Sequence, residues 1–253
     1  MADRASGGKG PAPQLRGPRA CATFAAMGDG KPQGNFYSGV GLDRAEYLRR
    51  DDAWLEARLS DPTTRFVPVW RNRNLIHQAE EVRAVWLDGS AGSQLAPRAA
   101  ETVFLGCSGE SAYFALDVSD LEDPKAETGE FLDLRAVGPL LARGDGAILA
   151  YARGLVYWHR RHRFCGVCGE ATTSTQGGHQ RACSNGDCAT DHFPRTDPAV
   201  IMLVHDGERC VLGHHKVWKN GMHSTLAGFV EPGESLEEAV AREVMEEVGL
   251  EVG

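Results

Sequence analysis

Glutamates are concentrated near the C-terminal end of this sequence. Eight of them lie between Gly228 and Glu251 beside a single arginine, a local balance of −7 in a chain whose net charge is −8. Carboxylate oxygens are the ligands that hard divalent cations such as Mg²⁺ and Mn²⁺ prefer. The segment is therefore a candidate metal site, and a merely acidic surface is the alternative.

A helix is predicted to carry these glutamates. Ser235 with Glu238 forms a capping box at its start, and Gly249 supplies its C-terminal stop. At 100° per residue, Glu243 and Glu247 fall in the middle of the apolar stripe and Glu246 flanks it; the stripe comprises Leu236, Ala239, Val240, Val244 and Val248. Two buried carboxylates one turn apart need a cation or protons, which favours Mg²⁺ or Mn²⁺. A solvated helix with a different phase remains the alternative.

Four cysteines form a second candidate site. Cys165 and Cys168 are separated by fourteen residues from Cys183 and Cys188. Paired thiolates on two tight turns can close a tetrahedron around Zn²⁺, and four thiolates leave no open position for water, so the zinc would be structural. Two disulfides are the alternative. The absence of a secretion signal and the scattered positions of Cys21, Cys107 and Cys210 favour a reducing, cytoplasmic compartment and hence zinc.

The glutamate helix resembles a known signature. Gly228-x5-Glu234-x7-Arg242-Glu243-Val244-x-Glu246-Glu247-x-Gly249-Leu250 matches every fixed position of the Nudix box, found in hydrolases that cleave nucleoside diphosphates linked to another moiety. Upstream, the four cysteines are preceded by the run from Trp158 to Cys165 and followed by the run from Phe193 to Ile201. Over about residues 40–253, this arrangement resembles the NADH pyrophosphatase (NAD diphosphatase) branch of the Nudix hydrolases.

The resemblance implies roles for individual residues. Glu243, Glu246 and Glu247 would be catalytic, Glu243 and Glu247 as metal ligands and Glu246 as a ligand or the partner of one. The carbonyl of Ala227 would be a further metal contact, and Phe193 would stack on a base of the substrate. Structural box positions would be Gly228, Glu234, Arg242 and Gly249, with Arg242 paired to a box carboxylate such as Glu234.

The implied reaction is metal-dependent hydrolysis of the pyrophosphate of NAD(H), which yields a nicotinamide mononucleotide and AMP, with NAD-capped RNA as a further substrate. A Nudix hydrolase of ADP-ribose or another dinucleotide, or an inactive zinc-ribbon binding module, are the alternatives. Homodimerisation is implied by the resemblance only.

Two positions depart from the family pattern. Phe193 stands where many relatives have tyrosine, which keeps the ring face and loses the hydroxyl group. The chain ends three residues after the box, whereas the resemblance places the NAD(H) signature Ser-Gln-Pro-Trp-Pro-Phe-Pro and a further glutamate ligand beyond Gly253. The Nudix domain is therefore expected to be C-terminally truncated, and residues 1–253 alone are expected to have weak or no activity, because a sandwich needs a second helix layer.

The elements that would position these sites give an α+β chain. Residues 1–34 are predicted to be a disordered tail, with a targeting peptide as the alternative. A small α+β domain (35–160) is expected to contain a helix from Asp43 to Leu59, four strands (Arg65–Trp70, Glu81–Leu87, Thr102–Leu105, Ala112–Val118) and a helix from Gly138 to His159. A zinc ribbon (161–193) and the first half of a Nudix α/β/α sandwich (194–253) follow.

Within the sandwich, Pro198–Val204 is predicted to be a strand buried on both faces, followed by a turn at Asp206-Gly207 and a strand from Ser224 to Val230. The net charge argues against nucleic-acid binding by charge alone. Because no run of about 18 apolar residues occurs, no membrane span is expected.

Overall fold

The structure, a computed structural model, describes residues 35–124, 129–218 and 221–253. The predicted tail and its targeting alternative lie outside these residues. The chain divides into two compact units at Pro194 and Arg195, and each is described by itself. In the described residues, no helix is both long and apolar enough to cross a membrane.

The first unit is built on a mixed sheet of six strands. The strands are β1 (Arg65–Trp70), β2 (Arg73–Gln78), β3 (Val82–Ala84), β4 (Glu101–Ser108), β5 (Ser111–Asp117) and β6 (Glu130–Leu132). Their order is β3-β2-β1-β5-β4, with β6 on β2; β1 and β5 run parallel and all other pairs are antiparallel. The helices are α1 (Asp52–Leu59), α2 (Gly89–Leu95), α3 (Leu134–Val137) and α4 (Arg143–Arg161).

Alternation along the strands sends apolar side chains to both faces of this sheet, so the unit has two cores. Val67, Val69 and Ile76 pack with Leu149, Ala152 and Val156 of α4 on one face. The other face packs Phe66, Phe104 and Phe114 with Leu55 of α1. Helix α2 packs closely against that face at Gly92, where a Cβ would lie only 1.9 Å from Cδ2 of Phe66.

Several predicted elements of this unit differ from the structure. The strand Arg65–Trp70 is confirmed, but the predicted helix from Asp43 to Leu59 is wrong in its first half. Ala45 has a left-handed φ of 39°, and α1 begins only after Asp51, whose side chain accepts a hydrogen bond from the amide of Trp54. Strands β2 and β6 and helix α2 were not predicted.

The ribbon belongs to the first unit and forms a three-stranded antiparallel sheet. Its strands are β7 (Thr172–Thr175), β8 (Gln180–Cys183) and β9 (Asp191–His192), paired in the order β7-β8-β9. Gly178, with φ of +87°, packs so closely on Val103 of β4 that a Cβ would lie 2.8 Å from Cγ1 of that valine. The ribbon is thus seated directly on the large sheet.

The second unit contains β10 (Ala199–Met202), β11 (Leu226–Phe229) and helix α5 (Leu236–Val248). The two strands pair antiparallel, with Val200 opposite Gly228. The prediction that Pro198–Val204 is buried on both faces is wrong. Val200 and Met202 are buried, whereas Ile201 is 74% exposed, because α5 covers one face and no described element of this unit covers the other.

Candidate active site and zinc site

Local hydrogen bonds position helix α5. The Ser235 hydroxyl accepts from the Glu238 amide at 3.1 Å, and the Glu238 carboxylate accepts from the Ser235 amide at 2.8 Å, which confirms the capping box. Gly249 ends the helix with a left-handed φ of 67°, as predicted. These two signals fix which face of the helix each glutamate occupies.

Arg242 lies at the centre of the box. Its Nε and Nη2 donate to the two carboxylate oxygens of Glu234 at 2.6 and 3.0 Å, and Nη2 also donates to the carbonyl of Phe229 at 2.9 Å. Its Nη1 donates to Glu243 at 3.0 Å and to Glu246 at 3.2 Å. One guanidinium group therefore ties strand β11, the loop after it and helix α5 together.

The same contacts perturb the pKa of the loop carboxylate. Hydrogen bonds from Arg242, with a further one from the backbone amide of Glu231, lower the pKa of Glu234 to about 2. The carboxylates of Glu234 and Glu243 in turn raise the pKa of Arg242. Glu234 is therefore ionised throughout the ordinary pH range, and its role is to hold Arg242.

Gly228 makes room for Glu243. An added Cβ at Gly228 would lie 1.9 Å from Cδ and 2.0 Å from Oε1 of Glu243, far inside van der Waals contact. The Glu243 carboxylate thus rests directly on the backbone of β11 at Gly228. This contact explains in physical terms why glycine stands at the first position of the box.

The three candidate catalytic carboxylates differ in their surroundings. Glu243 is mostly buried, Glu246 is exposed and bound to Arg242, and Glu247 is exposed with no hydrogen bond or ion pair to the described residues. Within those residues, the four cysteines form a cluster of possible metal ligands, and the three glutamates do not form such a cluster. The predicted burial of Glu247 is wrong, because the buried face of α5 consists of Ala239 and Val244 and does not include Glu247.

A groove in this unit does not include the three candidate catalytic carboxylates. It is an open groove of about 1130 Å³ whose apolar lining includes Leu203, Val211, Leu236 and Val240. Leu236, predicted to be buried, is exposed there. None of Glu243, Glu246 and Glu247 lines the groove.

The four predicted cysteine ligands converge in the ribbon. The sulfur atoms of Cys165 and Cys188 lie 3.8 Å apart, those of Cys168 and Cys183 lie 3.4 Å apart, and all four lie within 4.8 Å of one another. A tetrahedron with Zn–S bonds of about 2.3 Å has edges of about 3.8 Å. The donor type and the spacing therefore fit a structural Zn²⁺ site, and the four thiols are free rather than disulfide-bonded.

Neighbouring groups perturb these thiols in opposite directions. Hydrogen bonds from the hydroxyl and the amide of Thr190 lower the pKa of Cys188 to about 7, whereas desolvation raises that of Cys183 to about 12. Zinc coordination deprotonates a thiol outright and would override this difference. His192, which is not among the predicted ligands, has Nε2 only 3.3 Å from the sulfur of Cys165.

A buried network beneath the ribbon was also missed. The Nη1 of Arg181 lies 2.7 Å from Nδ1 of His159 and 3.1 Å from the Glu101 carboxylate, and the other guanidinium nitrogens donate to Thr172. These residues come from β8, α4, β4 and β7, so no local pattern signals them. Phe193, the candidate stacking residue, is 65% exposed at the end of the first unit.

Family models cover the chain in three consecutive segments. Residues 63–158 match the NADH pyrophosphatase-like rudimentary NUDIX domain, residues 160–193 the NADH pyrophosphatase zinc ribbon domain, and residues 195–253 the NUDIX domain. Residues 63–158, which fall within the predicted N-terminal domain (35–160), are thus related to a Nudix domain.

Curated relatives agree with these matches. Human NAD-capped RNA hydrolase NUDT12 is 34% identical over 87% of this chain, which spans 57% of that protein's length. Human mitochondrial NAD(P)H pyrophosphatase NUDT13 is 39% identical over 63% of the chain and 48% of its own length. NAD-capped RNA hydrolase NudC of Mycobacterium bovis is 36% identical over 85% of the chain and 67% of its own length. The chain therefore belongs to the NADH pyrophosphatase branch of the Nudix hydrolase family.

Proposed function

We propose that the protein hydrolyses the pyrophosphate bond of NAD(H) to a nicotinamide mononucleotide and AMP, and that it removes the NAD cap from RNA in the same way. The observation that carries the proposal is the Arg242 network, which holds a Nudix box together with Glu243 against the backbone of β11. The relatives named as NAD-capped RNA hydrolases and NAD(P)H pyrophosphatases support this substrate class.

The box residues have the donor chemistry for Mg²⁺ or Mn²⁺, which Nudix hydrolases use in catalysis. Glu243, Glu246 and Glu247 would hold the metal with the Ala227 carbonyl, and oxygen ligands of this kind suit hard cations. Bound metal ions offset charge on a pyrophosphate and lower the pKa of an attacking water. Glu247 is the carboxylate most open to a cation, since it has no partner among the described residues.

The chain's own residues would act by positioning. Arg242 would neutralise Glu234 and orient Glu243 and Glu246. The carboxylates would then already be in position when the substrate binds, and little rearrangement of these side chains would be needed during the reaction. Phe193 would stack on a base of the substrate with an exposed ring face. We also propose that the domains are bounded at 35–160, 161–193 and 194–253. The protein is further proposed to be a homodimer and to be located in the cytoplasm.

The proposal is tested with NADH and Mn²⁺ in the longest form of the protein that contains these 253 residues. We expect reduced nicotinamide mononucleotide and AMP as products, and a loss of both turnover and Mn²⁺ binding in Glu247→Gln. Glu237→Gln, an exposed position on the same helix, is the matched control and should keep both. Unchanged turnover in Glu247→Gln would refute the assigned role, and faster turnover of ADP-ribose than of NADH would refute the substrate.

A further inference from the structure

The basic run at the end of α4, from His159 to Arg163, has two kinds of member. His159 is buried, with Nε2 2.8 Å from the carbonyl oxygen of Gly178, and Arg160 pairs with Asp117 and Asp120 at 3.1 Å. These two residues serve the fold. Arg161 and Arg163 are exposed and have no ion pair with the described residues. Two cationic side chains are therefore left at the surface.

Arg161 lies next to a cleft in the first unit. Its guanidinium carbon is 5.2 Å from the ring centre of Tyr157, one turn earlier on α4. Tyr157 is one wall of a cleft of about 440 Å³ that is also lined by Tyr37, Asn72, Arg135, Arg153 and Gly154. No atom lies within 4 Å of the place where a Cβ on Gly154 would be, so this lining residue leaves open space around it.

The cleft is positively charged in a chain of negative net charge. Its lining includes two arginines and no acidic side chain. Arg153 makes only long contacts, with Asn72 Oδ1 at 3.4 Å and Asp133 at 3.5 Å, and Arg135 is exposed with no ion pair to the described residues. Arg135 and Arg153 thus line the cleft, and Arg161 lies against Tyr157 at its edge. Of these three, Arg135 and Arg161 have no carboxylate partner among the described residues and can attract an anion.

The cleft also offers aromatic faces. Tyr37 is 41% and Tyr157 46% exposed, which leaves ring surface in contact with solvent on both walls. Proteins that bind single-stranded nucleic acid combine cationic grooves along the backbone with aromatic rings on which unpaired bases stack. The lining of this cleft provides both elements within one small volume.

We propose that this cleft binds a single-stranded segment of RNA, with unpaired bases stacked on Tyr157 and Tyr37 and phosphates held by Arg135 and Arg161. The inference rests on the proposed function, because an RNA carrying an NAD cap is one of its substrates. A duplex is disfavoured, since its bases are already stacked and paired and cannot reach the tyrosine rings.

The test is fluorescence anisotropy with a short, unstructured, uncapped RNA in the absence of added Mg²⁺ or Mn²⁺, so that binding is measured without cleavage. We expect Tyr157→Ala to weaken binding by at least about fivefold, the lower range for loss of one base stack. Arg135→Ala should lower the slope of log affinity against log salt by about 0.7, as expected for one lost phosphate contact on a single strand. The matched controls, Tyr47→Ala and Arg98→Ala, alter exposed residues that do not line the cleft and should change neither value.

Absence of RNA binding by the unsubstituted chain would overturn the inference, as would equal binding of duplex RNA or equal losses in the two control variants. NADH hydrolysis is assayed separately, in the longest form of the protein that contains these 253 residues. No hydrolysis together with binding that depends on Tyr157 would refute the proposed function and leave the cleft as an RNA site. If hydrolysis occurs and RNA binding is unchanged by substitution of Tyr157 and Arg135, the cleft is refuted as an RNA site and the proposed function stands.

Discussion

Substituting Gly228 by alanine tests whether the position of one carboxylate controls the chemistry. The new Cβ would lie 1.9 Å from Cδ of Glu243, whereas ordinary contact begins at 3.4 Å, so the carboxylate must move by about 1.5 Å. Gly228 does not have a left-handed φ, so alanine adds no backbone strain there. The displaced group is the end of a flexible side chain, and the strand itself can stay in place.

A misplacement of about 1 Å in a catalytic group can cost about 100-fold in rate. We therefore expect Gly228→Ala to lower kcat on NADH by about 100-fold, which corresponds to about 2.7 kcal/mol of transition-state stabilisation. The assay is steady-state release of mononucleotide, with Tm and Mn²⁺ affinity measured on the same samples. Mn²⁺ affinity should fall with kcat, while Tm should change little.

Gly213→Ala is the matched control in the same unit. Its nearest atom would be 3.8 Å from the added Cβ, and its backbone bonds to Ser224 would remain. It should keep wild-type kcat. If Gly228→Ala also keeps wild-type kcat and Mn²⁺ affinity, the position of Glu243 is not what the reaction depends on, and the reasoning fails.

Three further predictions concern stability. Arg242 lowers the pKa of Glu234 to about 2, from 4.5 for an unperturbed glutamate. The stability that this ion pair contributes is therefore present above pH 4.5 and is lost as the pH falls toward 2. Glu234→Gln should flatten that part of the acid unfolding curve. Burial lowers the pKa of His179 to about 4, from 6.5, so the first unit should lose up to about 3 kcal/mol of unfolding free energy as the pH falls from 6.5 to 4, and His179→Gln should lose less. Cys168→Ser should abolish the bound zinc measured by mass spectrometry and lower the Tm of the first unit, since three thiolates no longer close the tetrahedron.

Each of these has an outcome that contradicts it. An acid unfolding curve that is identical with and without Glu234 would mean that the Arg242 contact does not persist in solution. A His179 ring that titrates near pH 6.5 by NMR would show that it is not buried. Zinc retained at the wild-type level by Cys168→Ser would exclude Cys168 as a ligand.

Features set by local chemistry could be predicted from the sequence. The capping box of Ser235 and Glu238 and the glycine stop at Gly249 depend on hydrogen bonds and dihedral angles within a few residues, and the structure contains both. The pairing of Cys165–Cys168 with Cys183–Cys188 depends on two tight turns, and the four sulfurs converge as expected.

Features set by distant packing could not be predicted in this way. A helical wheel gives the directions of Leu236 and Glu247 but not which of these directions are covered by other elements, and both side chains are exposed. The contact between Arg181 and Glu101 joins positions 80 residues apart, so no spacing signals it. Distant packing also explains why the predicted helix from Asp43 to Leu59 is not helical in its first half. Ala45 has a left-handed conformation that its tertiary surroundings stabilise, although alanine on its own favours a helix.

The central claim is that the Nudix box of this chain directs water to the pyrophosphate of NAD(H). The most direct test is product analysis by mass spectrometry after incubation with NADH and Mn²⁺ in ¹⁸O-labelled water. We expect nicotinamide mononucleotide and AMP, with the label in the phosphate of one of them and with product formation dependent on Glu247. Release of free nicotinamide with ADP-ribose, or mononucleotide formation that persists in Glu247→Gln, would contradict it.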